Sequence, residues 1–369
     1  MNNRNFGLDV VRMCAILPVL VGHFSEFALK QVPTILYVGA DLGVNFFFAL
    51  SGFLIGGIIL RDFERGFSWR VTRNFWTRRW MRTLPLYYAF FVVVSIVALT
   101  GGAALTLNHL PFLLFLQNLA WPMVNWYQES WSLAVEEWFY LLFPVFFVAL
   151  VGLSARTRIL VIAVALILAA LALRVWAYNP ASDFDLQVRR VVVFRLDAIA
   201  FGILAIWLVR SFENTLRKWS TDAGLIGLLG LSVTVAMMTG SLYPGDFFAR
   251  TFTYSVASLS LAALVIWAYF HPVGHSKIIY WISTRSYALY LCNASILLVM
   301  ARHSLFSFST IASATIFSVC VIATSEVAHR LIEQPFMRRR PRELHSVITH
   351  GVDRSATGHR ARAEAGVSD

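Results

Sequence analysis

The chain has 369 residues, 58% of them hydrophobic and 14% charged, with a formal net charge of +11, and its mean hydropathy is +0.66. A soluble domain carries about 25% charged residues, so the composition excludes an ordinary soluble enzyme. In a membrane protein the excess charge belongs to arginine-rich loops beside anionic lipid, and not to a nucleic-acid partner.

Apolar runs recur that are long enough to cross roughly 30 Å of hydrocarbon. They predict an all-α, polytopic helical bundle of about ten spans, at 8–27, 38–60, 83–100, 131–151, 157–177, 191–210, 221–239, 251–270, 284–302 and 308–331. The first run has no small-residue cleavage site, so it is read as a retained span and not a signal peptide. It carries Asp9, Arg12 and His23. Ionisable groups in hydrocarbon are costly and mark a wet cavity or a protein interior, and histidine titrates near neutrality. Arg12 and His23 are eleven residues apart, close to three turns, so they share a face roughly 16 Å apart. Asp9 pairs with Arg12 one turn away, and Pro18 can kink the helix between the two levels. The plainer alternative is a structural Asp9–Arg12 pair with an unrelated histidine at a helix end.

The stretch 61–82 is read as a cytoplasmic loop holding Arg61, Arg65, Arg70, Arg73, Arg78, Arg79 and Arg82. Guanidinium forks bind phosphate in bidentate fashion. Arg78, Arg79 and Arg82 lie where the third span begins and suit a phosphorylated ligand; Arg61 and Arg65 suit lipid headgroups. Residues 101–130 contain no Lys or Arg, and HLPFLLFLQNL within them is too short to cross, which predicts an interfacial or re-entrant helix on the outer side. The alternation of basic and charge-poor connections places both termini in the cytoplasm.

The fourth span, WSLAVEEWFYLLFP, sets Ser132, Glu136 and Tyr140 on one face at i, i+4 and i+8. Glu136 falls at a depth similar to His23, and a carboxylate bonded to the imidazole would fix its tautomer and raise its basicity. Alternatively Glu136 and Glu137 line a wet vestibule. FRLDAIAFG (Arg195, Asp197) and HRLIEQPFMRRR (Glu333, Pro335) are polar beyond need. HPVGH has i, i+4 histidines, but Pro272 breaks the helix that such metal ligation needs. Cys14, Cys292 and Cys320 lie in apolar segments without CxxC spacing, which indicates neither a disulfide framework nor a zinc site. Residues 1–339 are read as one transmembrane domain and 340–369 as a disordered cytoplasmic tail. No soluble catalytic domain is evident, so any activity resides in the bundle.

Several of these segments together resemble the acyltransferase 3 family of integral membrane acyltransferases: the opening Leu8, Asp9, Arg12, His23; GVNFFFALSGFLI at 43–55; RRWMRTLPLYY at 78–88; WSLAVEEWFYLLFP at 131–144; RLDAIAFG at 195–202; and IEQPF at 332–336. The resemblance runs through nearly the whole chain in order. It implies transfer of an acyl group, usually acetyl, from cytoplasmic acyl-CoA to a hydroxyl of a sugar or another acceptor. It implies His23 as the essential catalytic residue, and Arg12, Arg79 and Arg82 in donor binding or active-site structure. Glu136 matches an acidic position of the fourth-helix motif. The chain departs from the pattern at SYALYLCNASIL, where Asn293 stands in place of a common histidine. Asn45 replaces an often acidic position, and the expectation is a stand-alone form without an appended esterase-like extracytoplasmic domain.

The expected reaction is therefore membrane O-acylation with acyl-CoA, acetyl-CoA foremost, as donor and no metal. His23 and Glu136 are the catalytic candidates. Arg12, Arg78, Arg79 and Arg82 are candidates for binding the donor, and Asp9, Ser132, Glu137 and Tyr140 for lining the acceptor path. The acceptor is a glycan, lipid-linked sugar or secondary metabolite, and the setting is the bacterial inner membrane. His23 acts as a base towards the acceptor hydroxyl or becomes acylated itself. The competing expectation is a transporter or flippase of a polar or lipid-linked solute, against which stands the lack of visible inverted repeats. A non-catalytic scaffold leaves the buried ionisable groups unexplained.

Overall fold

The structure is a computed structural model that describes residues 4–63, 68–240 and 245–341. It is all-helical, with no strand among the described residues. The helices are α1 Phe6–Ala28, α2 Thr34–Phe63, α3 Trp69–Thr100, α4 Ser130–Ala149, α5 Ala155–Trp176, α6 Leu196–Ser211, α7 Glu213–Lys218, α8 Ser220–Thr239, α9 Phe247–Phe270, α10 Lys277–Arg302, α11 Thr310–Ala328 and α12 Gln334–Arg339. A π turn, His329–Glu333, joins α11 to α12. The expected tail, 340–369, lies outside the described residues except for 340 and 341.

Eight helical segments are long and apolar enough to cross a membrane. Two expected spans are not among them. α6 has 16 residues, about 24 Å of rise. It starts late because a 3-10 turn at Val192–Phe194, following a π turn at Asp185–Arg189, occupies the stretch expected to begin it. α10 has 26 residues but spends its buried face on Ser283, Ser286, Asn293 and Ser295, which lowers its apolarity.

The arginine-rich stretch corrects the expectation of a loop. α3 begins at Trp69 and runs unbroken through Pro85 to Thr100. Ser68 caps it, its hydroxyl accepting from the Val71 N–H at 3.2 Å. Arg70, Arg73, Arg78, Arg79 and Arg82 therefore ride on a helix. Phe75 is buried while Trp69 and Trp80 are exposed, so this first part of α3 already has a packed face and a free one. Within 101–130 the ordered element is a 3-10 turn at Leu107–Leu114. It is tied down by the Tyr87 and Tyr88 hydroxyls, which donate to the carbonyls of Phe112 and Leu113 at 2.8 and 2.7 Å.

α2 is the central helix, packed against α1, α6 and α9. Its approach to α6 depends on two glycines: a Cβ on Gly52 would lie 2.0 Å from the Ile199 carbonyl oxygen, and one on Gly202 would lie 2.1 Å from that of Ala49. Small residues at a crossing let helices reach van der Waals contact where lipid supplies no hydrophobic drive. Beside that crossing the RLD segment is structural bracing. Arg174 and Asp197 form a fully buried ion pair at 2.7 Å. Arg195 donates to Asn45 and stacks 3.7 Å from the Tyr254 ring centroid. Losing one partner of a buried pair costs about 3–5 kcal/mol, so these residues hold α5, α6 and α9 in register.

Candidate active site

α1 is fixed at its start by an acid. Asp9 has no exposed surface and accepts from Arg4 at 2.5 and 2.9 Å, from Arg12 at 2.8 Å and from the Ser283 hydroxyl at 2.6 Å. Both of its oxygens are committed, so Asp9 positions Arg12 and clamps α1 to α10. It lines neither of the cavities described below, unlike the expectation that put it on the acceptor path. Fourteen residues further along α1, His23 meets Asn293 of α10. The pairs Asp9–Ser283 and His23–Asn293 show that the two helices run side by side in the same direction.

The first cavity is a small pocket of about 110 Å³ near the start of α1. Arg12, Arg79 and Arg82 line it, together with Ser51, Ser132, Glu136 and Tyr140. Glu136 accepts from the Ser51 hydroxyl at 2.6 Å and from the Tyr140 hydroxyl at 3.1 Å. Arg79 lies 6.0 Å from the ring centroids of both Phe75 and Tyr140. Among the described residues no acceptor takes a hydrogen bond from the guanidinium of Arg79 or Arg82, whereas that of Arg12 is bonded to Asp9. A pocket with two uncommitted forks is chemically an anion site.

The second cavity is large, about 1420 Å³, and lies towards the end of α1. A drug-sized ligand pocket is about 300–1,000 Å³, so this space suits a bulkier molecule. His23, Glu26, Asp41, Glu129, Trp131, Arg189 and Arg190 line it. Its arginines are engaged. Arg189 pairs with Asp41 at 3.0 Å and also with Asp185, and Arg190 pairs with Asp185 at 2.5 Å. Burial works to raise the Asp185 carboxyl, but Arg189 and Arg190 outweigh it and hold the group below its ordinary value. Burial likewise opposes the charge on Arg189, and Asp41 and Asp185 reverse that and hold it firmly protonated. Glu129, one residue ahead of α4, is 4% exposed, and burial pushes its carboxyl up to about 7.

Val44 and Tyr290 line both cavities. The Tyr290 hydroxyl meets the Ser132 hydroxyl at 2.8 Å and the Glu129 carbonyl at 3.2 Å. This tyrosine is the partition between the arginine pocket and the histidine cavity.

The structure thus brings together Arg12, Arg79, Arg82, Ser132, Glu136 and Tyr140, and sets His23 apart from them across Tyr290. The expected hydrogen bond between His23 and Glu136 does not form. Similar depth along two helices says nothing of azimuth, and Ser51 and Tyr140 take the lone pairs of the carboxylate. Arg78 lies outside both cavities, with its guanidinium donating to the Pro341 carbonyl at 2.6 Å. Glu137 is also outside, buried and accepting from the Thr83 hydroxyl at 2.6 Å. Sequence reasoning missed Ser51, Glu129, Arg189, Arg190 and Tyr290. Tyr290 could have been found one turn before Asn293, on the same helix face; Arg189 and Arg190 stand out as paired cations beside a span's predicted charge-poor end. Ser51 carried no such signal.

Eight helical segments long and apolar enough to cross a membrane, with ionisable groups gathered on two internal cavities, define an integral membrane protein. The chain belongs to the acyltransferase 3 family, whose acyltransferase domain matches residues 5–328. It is 26% identical to the peptidoglycan O-acetyltransferase OatA of Listeria monocytogenes, over 90% of this chain and 55% of that protein. It is 23% identical to the O-acetyltransferase OatA of Staphylococcus aureus strain NCTC 8325, over 90% of this chain and 57% of that protein. The chain therefore spans little more than half the length of these relatives. No solved structure matches it.

Proposed function

We propose that this protein is an O-acyltransferase that carries an acyl group, acetyl foremost, from cytoplasmic acyl-CoA to a hydroxyl of a glycan on the far side of the inner membrane. In this reading α6 and α10 complete a set of ten spans, with both termini in the cytoplasm. The arginine pocket then opens to the cytoplasm and the large cavity to the outer side. One observation carries the reading: unpaired guanidiniums and an imidazole occupy two cavities that share a single aromatic partition. The donor's phosphates rest against Arg79 and Arg82, with Arg12 held ready by Asp9, and its thin pantetheine arm passes Tyr290. The relatives named for peptidoglycan acetylation favour a cell-wall glycan as acceptor, and the volume of the large cavity accommodates an oligosaccharide.

His23 takes the proton of the acceptor hydroxyl as its oxygen attacks the thioester carbonyl. The carbon–sulfur bond breaks, and the leaving thiolate recovers the proton from the imidazolium. In the covalent variant the imidazole attacks the thioester first and expels the thiolate; the acceptor oxygen then takes the acyl group from the acyl-imidazolium, its proton passes to the thiolate, and neutral imidazole is regenerated.

The test uses purified protein in liposomes, acetyl-labelled acetyl-CoA and soluble peptidoglycan fragments. Label is expected on the fragments, and His23→Ala is expected to reduce transfer by about 10²-fold or more. Transfer that survives His23→Ala removes the mechanism; solute uptake without acyl transfer favours a transporter.

A further inference from the structure

Asn293 stands where the motif commonly has histidine, and the structure gives it specific work. Its side chain is fully buried. The amide NH2 is committed to the carbonyls of Leu289 and Tyr290, at 3.3 and 2.5 Å. Only its oxygen remains for the imidazole, and it lies 2.7 Å from His23 Nδ1. An amide oxygen can only accept. Nδ1 must therefore carry the proton, and Nε2 is left with its lone pair. Among the described residues Nε2 has no hydrogen-bond partner, and the ring lines the large cavity. This is the tautomer opposite to the one that dominates for a free histidine side chain.

We propose that Asn293 is the positioning residue that locks His23 with Nδ1 protonated, so that Nε2 is presented to the acceptor as base or nucleophile. The inference rests on the acyl-transfer reading, in which His23 is the reacting group, and concerns how that group is held. A neutral partner has a consequence that an acidic one would not. It orients the ring and accepts its proton without adding a negative charge to stabilise the imidazolium. The charges that face the ring come instead from its cavity: Glu26 on α1, Asp41 on α2, Glu129 ahead of α4, and Asp185, Arg189 and Arg190 from the connection before α6. Four of these, Asp41, Asp185, Arg189 and Arg190, are bound into the ion pairs described above.

The decisive measurement is of the ring nitrogens, which needs no acceptor. Protein with 15N-labelled histidine is examined by NMR in lipid, and the His23 signals are assigned by their loss in His23→Ala. In the wild type Nδ1 is expected to read as protonated and Nε2 as unprotonated. In Asn293→Leu the preference is expected to disappear or reverse, with kcat falling about 10- to 100-fold, the size of loss seen when the hydrogen-bond partner of a metal-ligating histidine's second nitrogen is removed. The KM for acetyl-CoA should stay within about threefold, since Asn293 is not in the arginine pocket. In Asn293→Asp a carboxylate within hydrogen-bond reach should raise the His23 titration midpoint by about one pH unit or more.

A wild-type ring protonated at Nε2 overturns the proposal, as does a titration midpoint that Asn293→Asp leaves unmoved. If Asn293→Leu does not fold, the wild-type spectrum and Asn293→Asp still decide. Failure of the underlying reading looks different: His23→Ala would then keep full transfer, whatever the tautomer.

Discussion

The two cavities share a wall, yet their arginines are in opposite states. In the small pocket Arg79 and Arg82 make no hydrogen bond to a protein acceptor among the described residues, and Glu136 shares the pocket with them. In the large cavity Arg189 and Arg190 are already paired with Asp41 and Asp185. The same side chain is thus uncommitted in one place and a structural brace in the other. What separates the cases is whether a carboxylate has claimed the guanidinium. Counting arginines per segment would have scored the two regions alike.

The sharpest way to break this comparison is to remove both kinds. A charge-assisted hydrogen bond contributes about 1.5–3 kcal/mol, so the double change Arg79→Ala and Arg82→Ala should raise the acetyl-CoA KM by about 100-fold or more. Arg189→Ala should leave that KM within about twofold, and steady-state kinetics in liposomes measure both. Equal effects would mean that the large cavity also meets the donor. The next largest effect belongs to the brace. Asp41→Ala strands Arg189 beside a half-exposed Asp185, at a cost of about 2–3 kcal/mol, visible as a lowered melting temperature in detergent with donor KM unchanged.

A smaller effect depends on pH. Glu129 has its carboxyl pushed up to about 7 by burial, so the folded protein favours the neutral form. Between about pH 4.3, where a free glutamate titrates, and pH 7, the folded state binds the proton that the unfolded state has lost. Stability from this group is present at low pH and falls as pH rises through that window. Glu129→Gln should therefore be close to neutral at pH 5 and stabilising by about 1–2 kcal/mol at pH 8, read as the difference in melting temperature at the two values. A constant difference would show that Glu129 is solvated in the large cavity.

Much of the bundle was legible because length and apolarity decide spans locally. The runs at 8–27 and 38–60 fall inside α1 and α2, and 221–239 and 251–270 inside α8 and α9. Legibility failed where polarity and helix coexist. The arginines of 70–82 look like a loop on a hydropathy scale, but nothing in them opposes helix, and Ser68 supplies the cap. The start of α6 was missed because the turns at Asp185–Arg189 and Val192–Phe194 form against Asn118, whose side chain donates to the Arg190 carbonyl, and no local pattern announces a partner so distant. In the site, i, i+4 periodicity correctly grouped Ser132, Glu136 and Tyr140, which share one helix. The partner of His23 depends on the azimuth between α1 and α10, 270 residues away; depth along each helix could not supply it.

The partition itself gives the smallest effect, and its hydrogen bonds explain why. Tyr290 and Ser132 contact each other, and the Ser132 hydroxyl also reaches the Glu129 carbonyl at 3.2 Å, as Tyr290 does. Remove either hydroxyl and the other can still donate to that carbonyl, so neither single deletion strands a buried acceptor. Tyr290→Phe and Ser132→Ala should each cost under about 1 kcal/mol and leave kcat within about fivefold, whereas the pair together should exceed the sum. Tyr290→Ala differs in kind, because it removes the ring that divides the cavities. The pantetheine arm would then pass unrestrained and expose its thioester to water in the large cavity before an acceptor is bound, and exclusion of water is what protects a reactive donor. The expected signature is acetyl-CoA hydrolysis rising several-fold relative to transfer, measured as thiol release against label on the glycan. An unchanged ratio would mean that the ring does not restrain the arm, and that the two cavities work as one.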